Sequence, residues 1–209
     1  MNKIFYYLSG FFIVLSLSGC YSGYKLTKGT GDYKKVNKAY NVDAETSYPV
    51  FISSINVRGN DVNQGFERRV VAKINDTGLF KEVIYGFYSR KPEPPYIDAK
   101  LDVSESMNDH AGSNAAKGFF IGASLWLLTP ALPLNYDYTT EFDLDVVWPN
   151  NQRRSYKAEC AGEAWGTLDQ ARNALAKLPG EVTEACLTSI ANQMGADFNI
   201  MKSTFIGKK

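Results

Sequence analysis

Histidine occurs once in this chain of 209 residues, at His110, and cysteine three times, at Cys20, Cys160 and Cys186. One histidine excludes a two-histidine zinc site, and the cysteines lack the close spacing of a thiolate cluster. Net charge is also missing. With 23 basic and 22 acidic side chains the formal charge is +1, which leaves no electrostatic footprint for nucleic acid. No glycine loop joins a strand to a helix in the manner of a phosphate cradle, and Gly112 and Gly118 stand outside that context. His110 lies among Asn108, Asp109 and Gly112, where no Cys/His or Ser/His/Asp set can be nominated around it, and it reads as a solvated loop side chain. Glu141, Asp143 and Asp145 alternate along one strand face and could hold a hard cation. A solvated face partly paired with Lys157 is the plainer reading. The sequence therefore nominates no catalytic residue, no metal ligand and no cofactor.

What the chain does have is two concentrations of apolar residues. The first follows Met1-Asn2-Lys3 and runs from Ile4 to Leu17, ending in small residues, which is the layout of a secretory signal peptide. Ser9, Gly10, Ser16 and Ser18 interrupt it, and it falls short of the ~20 apolar residues that a spanning helix needs. Leu17-Ser18-Gly19-Cys20 resembles the lipobox of bacterial lipoproteins. The resemblance implies that residues 1–19 are removed and that the Cys20 thiol carries lipid. Such lipoproteins bear two or three acyl chains of the palmitate kind, enough for stable anchoring where one chain is marginal. Tyr21, where an inner-membrane lipoprotein of enterobacterial type has Asp, implies the outer membrane, with the domain facing the periplasm. Without Lys3 the basic side chains number 22, equal to the acidic ones.

With Cys20 lipidated, Cys160 and Cys186 remain. In an oxidising compartment such a pair usually bridges, closing a loop worth about 3 kcal/mol; two separate buried thiols are the alternative. Periodicity favours the bridge. Strand alternation puts Cys160 on the apolar face with Phe142, and Cys186 shares a helical face with Val182, Ile190 and Gln193.

Residues 20–47 are polar and rich in lysine (Lys25, Lys28, Lys34, Lys35, Lys38), and read as a lipidated N-terminus and flexible tether. A single domain is expected over 48–209. A strand at 49–57 precedes a helical stripe of Val62, Phe66, Val70 and Ile74, capped by Asn60 or Asp61 and ended by Gly78. A short strand at 79–85 and an alternating strand from Tyr96 through Ile97, Ala99, Leu101 and Val103 follow. Phe142, Leu144, Val146 and Trp148 open a hairpin with an expected three-residue loop at 150–152, which sets Asp145 across from Lys157, Val146 across from Tyr156 and Cys160 across from Phe142. Thr167-Leu168-Asp169-Gln170 matches a capping box and starts a helix to Leu178; Pro179-Gly180 should break it before a last helix. The expected fold class is α+β: a two-layer sandwich of a mixed, mostly antiparallel sheet with helices on one face. The layout loosely resembles the periplasmic domain of envelope-assembly and secretion lipoproteins of the curli-secretion type, a likeness of architecture that carries over no residue.

The second apolar concentration is an insert at 118–136, without charge from Gly118 to Tyr136. Phe119, Phe120, Leu125, Trp126, Leu127 and Leu128 are its candidate membrane or partner contacts. Three readings compete: a buried connection covering a sheet edge, a membrane-dipping or partner-binding element, and a transmembrane span, which Pro130 and Pro133 disfavour. The functional expectation is a non-enzymatic, lipid-anchored envelope protein. It would meet membrane lipid through Cys20 and bind or help to assemble an envelope protein. The alternatives are a pore or secretion subunit whose insert enters the membrane as a homo-oligomer, and an envelope hydrolase. Cys20→Ser is expected to leave an unprocessed chain that no longer partitions into detergent, read by phase separation and mass spectrometry.

Overall fold

The computed structural model describes residues 22–29, 48–59, 66–87, 89–124, 126, 128, 132–167 and 170–206, with side chains described to Asp197. Its elements are β1 (Gly23–Lys28), β2 (Val50–Arg58), α1 (Phe66–Asp76), β3 (Val83–Tyr85), β4 (Ile97–Asn108), α2 (Ala111–Ala123), β5 (Leu134–Val147), β6 (Arg153–Gly166) and α3 (Ala171–Ile206). Six strands form one mixed sheet in the order β1-β6-β5-β4-β2-β3. The α+β class expected from the sequence is the one observed. Cys20, Val62, Asn60, Asp61, Leu168 and Asp169 lie outside the described residues.

Two compact units share these elements, one made of residues 1–25, 107–138 and 162–180, the other of 26–106, 139–161 and 181–209. In the second unit β2 runs parallel to both β3 and β4, with Val50 beside Val83 on one side and Ile97 on the other. A bulge between Ile52 and Ser54 interrupts the β2–β4 ladder, and there the Ser53 hydroxyl donates to the Ala99 carbonyl at 3.1 Å. Alternation on β4 buries Ile97, Ala99, Leu101 and Val103. That apolar side meets α1 through Phe66, Val70 and Ile74, all buried, and the Phe66 and Phe142 rings lie 5.9 Å apart. Gly78 adopts φ +64 just past α1, the left-handed stop expected of it. The later part of α3 buries Val182, Cys186, Ile190 and Met194 on the same core. Lys73 of α1 and Glu184 of α3 form an ion pair.

The Cys160–Cys186 disulfide is formed, with the two Cα atoms 5.7 Å apart. It ties β6 to α3 inside this core, where both cysteines are fully buried. Gly29 follows β1 with φ +80, and a Cβ there would lie 2.7 Å from Cys160 Sγ; only glycine lets the chain pass over the bridge.

In the first unit the buried apolar side chains among the described residues are Ile121, Leu134, Tyr138, Ala164, Ala171, Ala174 and Leu178. A Cβ on Gly23 would come within 2.9 Å of the Trp165 ring, so the start of β1 lies against the end of β6.

Four sequence expectations are corrected. Gly23–Lys28 is a strand hydrogen-bonded along β6, so the polar stretch after Cys20 is not tether throughout. Lys25 and Lys28 are its edge charges, paired with Glu163 and Glu159. The expected break at Pro179 is absent, and α3 runs continuously from Ala171 to Ile206 with Pro179 inside. A proline there removes one helical hydrogen bond at a cost of about 3 kcal/mol, which burial of Leu178, Val182 and Ala185 on either side offsets. The hairpin loop is Pro149-Asn150-Asn151, one residue earlier than expected. Asn151 N–H donates to the Trp148 carbonyl and Trp148 N–H to Gln152, both at 2.8 Å, and Asn151 takes φ 62. Proline at the second turn position and asparagine at the left-handed one select this closure. Lys157 accordingly meets Asp143 rather than Asp145. Because the shift is even in pairing, no side chain changes face. The loop expected around His110 is instead the start of α2, which begins at Ala111.

Replacing Cys160 and Cys186 together by alanine should lower stability by about 3 kcal/mol, a Tm decrease of about 6–12 °C for a domain of this size. Calorimetry of oxidised and doubly substituted protein checks it.

Candidate functional site

The uncharged insert forms the second half of α2 and its exit. At its N-terminus the Asp109 carboxylate accepts the Ala111 N–H and the Asn108 side chain accepts the His110 N–H, each at 3.0 Å. His110 takes φ 49, and its Nε2 lies 2.8 Å from Asp137 Oδ2.

One side of the helix holds to the first residues of β5 and the turn before them. The Asn114 side chain donates to the Asn135 carbonyl at 2.8 Å and accepts the Asn135 N–H at 3.2 Å, pairing that residue as a neighbouring strand would. Lys117 Nζ donates to the Pro133 carbonyl at 2.7 Å. Ile121, one turn on, is buried. Ser124 closes the helix: its hydroxyl donates to the Ile121 carbonyl at 2.9 Å and accepts the Leu128 N–H at 3.2 Å. Trp126 N–H donates to the Ile121 carbonyl at 2.9 Å.

The other side is apolar and open to solvent. Phe119 is 71 % exposed, Phe120 57 %, Trp126 59 % and Leu128 40 %. The Phe119 and Phe120 rings touch edge to face at 5.9 Å. Trp126 also sits at φ 72, a left-handed conformation that costs a bulky residue about 1–3 kcal/mol. The reading of the insert as a buried connection is therefore corrected for these four residues, because among its described residues Ile121 and Leu134 are the ones that enter the core. Leu125 and Leu127 lie outside the described residues. Among those described, no helix is long and apolar enough to cross a membrane.

Beside α2, Lys25, His110, Pro133, Asn135, Asp137, Glu163 and Trp165 border a shallow groove of about 460 Å³. In the second unit the sheet face turned away from the helices is polar, with a groove of about 660 Å³ among Arg58, Asp102, Ser104, Glu141, Asp143, Lys157 and Glu159. The Lys157 hydrogen bond holds the Asp143 carboxyl below the usual carboxylate range against the opposing effect of partial burial, and Ser155 adds a bond of 2.7 Å. Asp143 also raises Lys157. With Asp143 paired in this way, the acidic row does not converge on a cation, and no three acidic, histidine or cysteine side chains do so among the described residues.

The strand that sequence reading missed, β1, had a signal. Tyr24, Leu26 and Thr27 are good strand formers bracketed by Gly23 and Gly29, and lysine is a usual edge-strand residue.

No protein-family model matches the chain, and no curated protein matches it. Among solved structures, a hypothetical protein from Chlamydia trachomatis is 9 % identical with a TM-score of 0.40, covering 73 % of this chain and 98 % of that one. Rare lipoprotein B from Shewanella oneidensis is 13 % identical at 0.36, covering 74 % and 98 %. A PelC dodecamer from Paraburkholderia phytofirmans is 10 % identical at 0.34, covering 82 % and 99 %. The likeness is one of loose strand-and-helix layout, and no residue role is taken from it.

Exposed and buried positions of α2 should separate by unfolding in urea. Phe119→Ser and Phe120→Ser are expected to change stability by less than about 0.5 kcal/mol, whereas Ile121→Ala should cost about 2–5 kcal/mol.

Proposed function

We propose that the chain is a non-enzymatic lipoprotein of the bacterial envelope, held in the outer membrane by acyl chains on Cys20 and acting by contact with an envelope partner. The observation that carries this reading is a complete Leu17-Ser18-Gly19-Cys20 motif followed, three residues later, by a folded strand at Gly23. Three residues reach about 10 Å, so lipid on Cys20 holds this end of the fold close to the membrane surface. The uncovered polar sheet face around Arg58, Glu141, Asp143 and Lys157 is then the surface offered to a partner, with charges of both signs to fix its register.

Crosslinking in the intact envelope, followed by capture of the lipidated chain, tests the reading. A defined partner should be retained, and Arg58→Glu with Lys157→Glu should reduce it several-fold while detergent partitioning stays unchanged. A purified chain that closes into a ring by itself would overturn this reading in favour of a self-assembling pore subunit. Turnover of an envelope polymer by the pure chain would overturn its non-enzymatic part.

A further inference from the structure

The helix α2 is inside out. A surface helix normally turns its apolar stripe to the core and its polar one to water. Here Asn114 and Lys117, which with Ile121 and Ser124 repeat at helical spacing, hold the element to Asn135 and Pro133, while Ser124 closes its last turn on Ile121 and Leu128. Phe119 and Phe120 project to solvent, as do Trp126 and Leu128 beyond the last turn. Gly112, Gly118 and Gly122 meet nothing within 4 Å of where a Cβ would stand.

We propose that this outward side of α2 enters the boundary between headgroups and acyl chains of the same leaflet that holds the lipid on Cys20. The proposal rests on the lipid-anchor reading and names what the apolar side meets. Chain length argues for lipid as the occupant. Cys20 stands three residues before Gly23, and Gly23 lies against Trp165. Trp165 borders one groove with Pro133 and Asn135, the two residues that Lys117 and Asn114 grip. The start of β1 and the helix thus belong to one unit, about two strand spacings apart, and Cys20 lies within a chain reach of about 10 Å of Gly23. Chemistry agrees. No charged side chain occurs from Gly118 to Tyr136, and a tryptophan with two phenylalanines and a leucine is the composition that settles at the interfacial depth. The left-handed Trp126 backbone is tied to the Ile121 carbonyl, and the residue is 59 % exposed.

The test uses the full lipidated chain in vesicles of phosphatidylethanolamine and phosphatidylglycerol with bromine on the acyl chains. Fluorescence of the native protein minus that of Trp126→Phe isolates the Trp126 emission. Insertion predicts a blue shift and loss of about half of that emission for an indole in the upper 5–10 Å of the leaflet. Phe119→Ser with Phe120→Ser should restore most of the emission while the protein still floats with the vesicles. A protein that floats with Trp126 unquenched and open to acrylamide overturns the insertion alone. Trp126 shielded from acrylamide yet unquenched by brominated lipid overturns it in favour of a second copy or another protein on this side. A protein that does not float overturns the anchor at Cys20 and the insertion with it.

Discussion

The fold of the larger unit depends on the covalent tie between Cys160 and Cys186. It lies where the apolar side of β6 meets α3, at full burial, so it fixes which helix face the sheet receives. Around it the packing has little freedom. Gly29 passes over the sulfur at a distance no side chain allows, and Cys186 Sγ stands 3.6 Å from the Thr140 carbonyl oxygen on β5. Phe142, Leu144 and Val146 continue the same apolar row beneath α1 and α3. The bridge also explains why α3 tolerates Pro179. The helix on one side of the proline is held by buried Ala171, Ala174 and Leu178, and on the other by Val182 and the disulfide itself. Side-chain burial and a covalent bond outweigh one missing backbone hydrogen bond.

Much of this was legible from alternation. Ile97, Ala99, Leu101 and Val103, then Phe142, Leu144 and Val146, signal half-buried strands because period two admits no other surface. The cysteine pairing followed because two independent periodicities aimed both thiols at one core. What alternation cannot weigh is tertiary compensation, and the errors fall there. Pro179-Gly180 is a strong local break that packing overrides. Gly23–Lys28 is a weak local strand that gains its hydrogen bonds from β6 and its place from glycine contacts with Trp165 and Cys160. The loop expected at 150–152 closes one residue earlier, at 149–151, because Pro149 opens the turn and Asn151 takes its left-handed position.

The α2 element was only half legible. Its lack of charge from Gly118 to Tyr136 was plain, but composition does not say which way an apolar run faces. Hydropathy favours a buried connection, and that is the outcome for Ile121 and Leu134. Phe119, Phe120, Trp126 and Leu128 go the other way because the helix is held by Asn114 and Lys117 bonding to backbone groups of Asn135 and Pro133. Those are specific polar matches between residues about twenty positions apart, and no periodicity encodes them. The same geometry gives His110 its place: it starts the helix and meets Asp137, at the end of α2 away from the exposed aromatic side chains.

The shortness of the segment between Cys20 and Gly23 has a further consequence. Two phenylalanines, an indole and a leucine are a weak ligand for a bilayer when the protein diffuses freely. With the proposed lipid on Cys20, three positions from β1, they would search a volume only nanometres across, an effective concentration on the order of millimolar. Association that is negligible between separate molecules becomes the resting state of one molecule. The acyl chains would then set where the protein is, and α2 would set which way its own unit faces.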